Sequence, residues 1–261
     1  MTRSRVATPD AWAALRARTP ARIALGRAGG SLPTAEVLAF SAAHAAARDA
    51  VWSALDEDAL ASALAPAGLP VLRLASRAPD RLTYLQRPDL GRRLSEDSEA
   101  RAARAGAAGP FDVALVVGDG LSALAAQRHA PAVVTGLCEA LRARGLTLAP
   151  LATVRQARVA VEDPVGAALQ ARLAIVLLGE RPGLASADGL GAYLVHGPRP
   201  GRTDAERNCV SNIRPEGLPP AAAVELLTWL AAEALRRGLS GVGLKDERAL
   251  APAPARPGLT S

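Results

Sequence analysis

Three clusters along this chain bring together residue types that can do chemistry. Gly118-Asp119-Gly120-Leu121-Ser122-Ala123 follows an apolar run and fits the relaxed Gly-x-Gly-x-x-Ala pattern, in which glycines let backbone approach a pyrophosphate at a helix N-terminus. A tight strand-to-helix turn needs glycine with or without a nucleotide, however, and no acidic residue ends a second strand about 20 residues further on. Gly179-Glu180-Arg181-Pro182-Gly183 lies just past the most hydrophobic run, where open parallel sheets place ligands; the plainer reading is a charged turn stabilised by proline and glycine. Arg207-Asn208-Cys209-Val210-Ser211-Asn212-Ile213-Arg214-Pro215 is dense in short polar side chains without strand or helix periodicity, and reads as a loop offering donors and acceptors to an amide-rich ligand. Cys209 has no His and Asp arrangement to activate it, so a neutral packing thiol is the better reading than a nucleophile. The three histidines, His44, His129 and His196, are far apart, and His44 falls on an apolar helical stripe that favours a hydrogen-bonded core role.

The elements that must position these clusters come in two styles. Residues 1–20 read as a flexible arm with a short helical pattern around Trp12 and Leu15. A helix begins at Thr34, an N-cap candidate, with Val37, Phe40, His44, Ala47 and Val51 on one face that should pack inward. Another helix fits 56–64, and a short apolar run follows at 71–74. Residues 21–110 therefore read as a smaller, mostly helical N-terminal domain, with the Ala-, Gly- and Arg-rich stretch 98–110 as linker. The character then changes. Residues 113–117 form a continuous apolar run of the kind a buried parallel strand needs. Helical patterns at 121–129, 132–144, 165–171 and 221–237 alternate with strand patterns at 113–117, 147–151, 157–161, 173–178 and 192–195. Such alternation predicts an α/β, three-layer, parallel-sheet (Rossmann-like) domain over 111–247. The Pro- and Ala-rich tail, 248–261, reads as disordered.

Composition narrows the function classes. Of 261 residues, 49% are hydrophobic and 21% charged, enough for a buried core, and with aromatics at only 3% that core must be built from small aliphatic side chains. The net charge of +6 arises from scattered arginines with no interleaved aromatics, which argues against nucleic-acid binding. Cys138 and Cys209 have no metal-ligand spacing, and no apolar run of about 20 residues exists for a membrane span. The expected location is the cytoplasm.

Longer stretches resemble a known family. Ala21-Arg22-Ile23-Ala24-Leu25-Gly26-Arg27, the pair formed by His44 and Ala47-Arg48-Asp49-Ala50-Val51, and the sixteen residues from Pro79 through Tyr84 and Gly91 to Leu94 are three of them. Asp119-Gly120-Leu121-Ser122 running on to His129, the 179–183 turn and Asn208-Cys209-Val210-Ser211-Asn212-Ile213 follow in order. Together they make 20–247 similar to the light chain of ethanolamine ammonia-lyase. The resemblance implies a small subunit that assembles with a large, barrel-shaped subunit and holds adenosylcobalamin at their contact, while the complex converts ethanolamine to acetaldehyde and ammonia by a radical route. It also implies cofactor contacts at Val159, Glu180 and Cys209, and no catalytic residue or metal ligand of the chain's own. The chemistry of a phosphate-bearing tail adds backbone groups around Cys209 with Arg158 or Arg207, and then Arg181, as candidate partners for it. The Asp-x-His-x-x-Gly motif that gives cobalt a histidine in some cobalamin proteins is absent, so the cofactor's own base should stay its lower ligand. A bacterial microcompartment is a further setting that the resemblance leaves open. The reading of a different class is a stand-alone oxidoreductase binding a dinucleotide at 118–123.

Overall fold

The computed structural model describes residues 8, 10–19 and 21–248, so residues 249–261 of the expected disordered tail and 1–7, 9 and 20 of the expected flexible arm lie outside the described residues. The chain forms seven helices and six strands among those residues: α1 (Thr34–Trp52), α2 (Glu57–Leu64), β1 (Val71–Ala75), α3 (Arg81–Gln86), α4 (Glu96–Gly106), β2 (Phe111–Gly118), α5 (Ala123–Arg142), β3 (Leu151–Arg155), α6 (Glu162–Ala168), β4 (Ala171–Gly179), β5 (Leu190–His196), β6 (Arg207–Ile213) and α7 (Pro220–Arg237). Short 3-10 turns at Ala13–Arg18, Leu90–Arg92, Val159–Val161 and Asp204–Glu206 fill several connections.

All six strands join one sheet in the order β1-β3-β2-β4-β5-β6. The fold is α/β, but the sheet is mixed and not wholly parallel. β1, β3, β2 and β4 run parallel, whereas β4 to β5 and β5 to β6 are antiparallel. Connection length is the cause. Connections of about ten residues without an α-helix, 180–189 and 197–206, cannot carry a parallel crossover, which takes a dozen or more residues and usually a helix.

The strands alternate between two apolar clusters. Leu173, Ile175 and Leu177 of β4, with Leu190, Ala192 and Leu194 of β5, face a cluster closed by α2, α5 and α7. Ala174, Val176 and Leu178 face a second cluster with Ala102 of α4 and Val165 of α6. On this second side α6 reaches only the end of β5 and β6 at Val195 and Arg207; farther along β6, Cys209 and Ser211 are exposed.

Several local expectations are corrected. The stretch 98–110 is no linker: Ser95 caps α4 by accepting the Ser98 N–H, and Glu96, Asp97 and Glu99 complement its N-terminal dipole. A Cβ on Gly106 would come 2.0 Å from the Ala168 carbonyl oxygen, so small residues let α4 lie close to the end of α6. The cluster 207–215 is mostly strand β6 and not a loop. The stripe on α1 does not pack inward, since Val37 and Phe40 are about half exposed and His44 lies on the surface. Residues 121–129 and 132–144 are one helix, α5, that continues through Pro131. The strand expected at 147–151 begins where that range ends, at Leu151, and 157–161 ends in a 3-10 turn.

Candidate functional site

The rim at the carboxyl ends of the parallel strands is held together by Asp119, directly after β2. Its carboxylate accepts the N–H groups of Gln156 (3.0 Å) and Ala157 (2.9 Å), just past β3, and lies 3.6 Å from the Arg81 guanidinium. Burial pushes this carboxyl upward, against those hydrogen bonds and the Arg81 charge, which pull it down. On its other side, the turn after β2 interlocks with the end of β4. A Cβ on Gly120 would sit 2.2 Å from the Gly179 carbonyl oxygen, and one on Gly179 would sit 1.9 Å from that of Ser122. The glycines that fitted a dinucleotide pattern thus serve close backbone packing. Gly179 occupies the space beside Gly120, and Ala187 lies over the N-terminus of α5, where its carbonyl accepts from the Ser122 hydroxyl (3.0 Å).

Behind this rim, Tyr84 of α3 is fully buried between two guanidinium groups: Arg81 lies 4.6 Å and Arg158 4.2 Å from its ring centre. The phenol donates to the Ala157 carbonyl (3.1 Å), and burial pushes it up to about 12. Arg158 donates to the Tyr84 carbonyl (3.1 Å). These contacts fix residues 157–159, and with them Val159.

Val159 lines two neighbouring cavities. One, of about 420 Å³, is lined by Pro88, Arg92, Arg158, Tyr193, Arg207 and Cys209 among others. The second, of about 390 Å³, is lined by Tyr84, Leu121, Leu178, Glu180, Arg181 and Tyr193 among others. Arg158, Val159 and Tyr193 belong to both. The three residues singled out in the sequence, Val159, Glu180 and Cys209, therefore lie around one continuous depression.

Each is held by its own neighbourhood. Glu180 leaves β4 with its N–H donating to the Gly189 carbonyl (2.9 Å), and its Oε1 accepts the Asn212 N–H (3.1 Å). A Cβ on Gly189 would approach Oε2 to 2.7 Å, so glycine there leaves room for the carboxylate. Oε2 accepts no hydrogen bond from the described residues and can take one from a ligand amide. Cys209 pairs with Tyr193 across the β5–β6 ladder. Desolvation pushes its thiol upward, with Glu180 adding to the effect and a hydrogen bond with Tyr193 opposing it. That thiol stays neutral and is a poor nucleophile. Arg207, by contrast, is buried and committed: it donates to Glu162 (2.7 Å) and to both oxygens of Asp163 (3.0 and 2.6 Å). Its bidentate pair with Asp163, and the Glu162 carboxyl beside it, leave no free charge for a ligand.

His129 contacts Asp188 (3.2 Å), which also pairs with Arg128 (3.2 Å), and this cluster ties the return 180–189 to α5. None of the three histidines lines either cavity. Reasoning from sequence missed Tyr193, Tyr84 and Arg92. Tyr193 alternates with Gly191 and Val195, a signal that becomes informative only once β5 is paired with β6.

An apolar wall, amide-accepting oxygens, a neutral thiol and flanking arginines suit a broad ligand with an apolar body, polar edges and some negative charge. Comparison with known proteins agrees on one family. A family model described as ethanolamine ammonia-lyase light chain matches residues 9–245. The chain is 56% identical over 247 residues to the ethanolamine ammonia-lyase small subunit of Azotobacter vinelandii, covering 94% of this chain and 92% of that one. It is 56% identical over 241 residues to the protein of that name from Ralstonia nicotianae, covering 92% and 89%. The corresponding Pseudomonas putida protein is 55% identical over 246 residues, covering 93% and 90%.

Proposed function

This chain belongs to the ethanolamine ammonia-lyase light-chain family, and from that premise we propose that it is the small subunit of an adenosylcobalamin-dependent ethanolamine ammonia-lyase, active only when joined to a large subunit. The complex converts ethanolamine to acetaldehyde and ammonia. The observation that carries the cofactor reading is the shared wall: Arg158, Val159 and Tyr193 line two cavities whose other walls hold Glu180 and Cys209.

The residues present fit a corrinoid. Its apolar ring needs aliphatic contact, which Val159, Ala160 and Leu178 offer, and its rim of amides needs acceptors, which Glu180 Oε2 supplies. When bound, the group supplies homolysis of a cobalt–carbon bond, which starts hydrogen abstraction from ethanolamine. This chain's residues do the holding. Glu180 orients an edge amide, Val159 and Tyr193 exclude water from one face, and the neutral Cys209 thiol packs without offering a reactive anion. The depression is open, so it covers part of a large ligand, and the large subunit supplies the remaining wall together with the groups that bind ethanolamine. No helix among the described residues is long and apolar enough to cross a membrane. A cytoplasmic complex, free or inside a microcompartment, is the setting we assign.

Replacing Glu180 with alanine in the co-expressed complex tests the reading. Loss of one hydrogen bond to a charged acceptor, about 1.5–3 kcal/mol, should weaken adenosylcobalamin binding by roughly tenfold or more. Unchanged affinity would remove Glu180 from the site. Ammonia release by the large subunit alone, equal to that of the complex, would sink the assignment of the chain as a required subunit.

A further inference from the structure

We propose that Arg158, with Arg92 beside it, forms an anion-recognising pair that holds the phosphodiester of the corrinoid's nucleotide tail. This deepens the cofactor reading above and rests on it. The first cavity has three arginines on its walls, Arg92, Arg158 and Arg207. Arg207 is committed to a bidentate pair with Asp163, with Glu162 alongside, and nearby Arg81 pairs with Asp119, whereas neither Arg158 nor Arg92 pairs with a carboxylate among the described residues.

The surroundings hold Arg158 in place without neutralising it. Its guanidinium stacks 4.2 Å over the buried Tyr84 ring, and one Nη donates to the Tyr84 carbonyl (3.1 Å). Its Nε is buried without a hydrogen-bond partner. Its side chain passes over Gly91, where a Cβ would come 2.7 Å from the Arg158 Cγ, and its backbone N–H donates to the Gly91 carbonyl (2.8 Å). A planar cation fixed by stacking, with its Nη1 unengaged among the described residues and no counter-ion, is organised for a phosphate contact through its Nη edge. Arg92, next to Gly91 and exposed, adds a second positive charge to the same cavity. The remaining acid on its lining, Asp204, has its nearest charged contact at Arg207 Nε (3.8 Å). Of the ligand's parts, the phosphodiester alone is a fixed anion, so it is the part this pair selects.

The test uses the assembled large- and small-subunit complex and three corrinoids: cyanocobalamin, cobinamide phosphate, and cobinamide, which has no phosphate. Binding is followed by spectral titration. Arg92→Ala trims an exposed side chain; Arg158→Gln removes the cation but keeps the Cβ–Cγ stem that passes over Gly91. Each should weaken cyanocobalamin and cobinamide phosphate by about tenfold or more while leaving cobinamide affinity unchanged, as removal of a charge-assisted contact predicts. It should also flatten the dependence of cyanocobalamin affinity on ionic strength. Equal losses for all three ligands would make Arg158 a structural wall and overturn the proposal, and so would no loss for any. Val159→Glu separates the two levels of argument. If it leaves every affinity intact, the cofactor reading itself fails; if it abolishes binding while the arginine variants leave the cyanocobalamin to cobinamide ratio unchanged, the phosphate contact alone fails.

Discussion

Gly179→Ala would test the interlock that forms the rim of the site. The added methyl would lie 1.9 Å from the Ser122 carbonyl oxygen, 2.6 Å from the Ser122 carbonyl carbon and 2.8 Å from the Asp119 carbonyl oxygen. All three are backbone atoms, so no side chain can swing aside, and the two turns must part by about 1 Å. Overpacking of that kind costs about 1–3 kcal/mol. Parting the turns also stretches the hydrogen bond from the Leu121 N–H to the Gly179 carbonyl (2.9 Å), for about 1 kcal/mol more. A total near 3 kcal/mol lowers the melting temperature of a chain this size by about 6–12 °C. Gly30→Ala is the control, because a Cβ there meets nothing within 4 Å. It should stay within about 0.5 kcal/mol of wild type. Differential scanning calorimetry of both variants gives the answer, and a Gly179→Ala melting point within a degree or two of wild type would refute the interlock.

Further outcomes follow from the buried and tethered groups. Burial holds the Glu162 carboxyl well above the ordinary range despite the pull of Arg207, so folding favours its protonated form. Its contribution to stability is therefore complete below about pH 4.5 and is lost as pH rises through its folded value. Glu162→Gln, which cannot ionise, should flatten that decline in urea midpoints measured from pH 4.5 upward, and parallel curves for the two proteins would contradict the sign. Asp188→Asn weakens the tie of the 180–189 return to Arg128 and His129, and amide exchange in 181–188 should quicken while α5 keeps its protection; equal exchange would show that the tie is idle. Because its thiol is pushed upward, Cys209 should alkylate more slowly than a free cysteine at pH 8, in spite of its exposure. Bound corrinoid should slow the reaction further, and a rate at or above that of free cysteine would reverse the reading.

How much of this was legible depended on whether the signal was local. The runs that became β2 and β4 are continuous and apolar because both faces of those strands are covered, and α2 and α7 announce themselves by period and caps. β6 hid because it is an edge strand: its inward residues are Val210, Ile213 and an arginine, and Arg207 is buried only because α6 brings Glu162 and Asp163 to it. No window around Arg207 contains that information. α4 was masked by its small residues, which looked like linker composition but serve close helix approach at Gly106. The apolar stripe of α1 was real, yet the described residues leave it largely uncovered, which periodicity cannot foretell. The reversal at β5 could have been read from the short 180–189 return. Of the site, the clusters at 179–183 and 207–213 were visible as unusual composition, whereas Tyr193 joins them only once β5 is paired with β6, and Arg92 reaches the same cavity as Cys209 from more than a hundred residues away.

The two short returns on either side of β5 have one more effect. A crossover to a parallel neighbour would have laid a helix over Tyr193 and Cys209; a hairpin brings none, and that stretch of sheet is left without a roof. The berth beside Val159 thus exists by omission, as a helix-sized gap in the covering layer. Lengthening either return until it could coil would fill the berth with the protein's own backbone, so the brevity of these links guards the opening as surely as any residue that lines it.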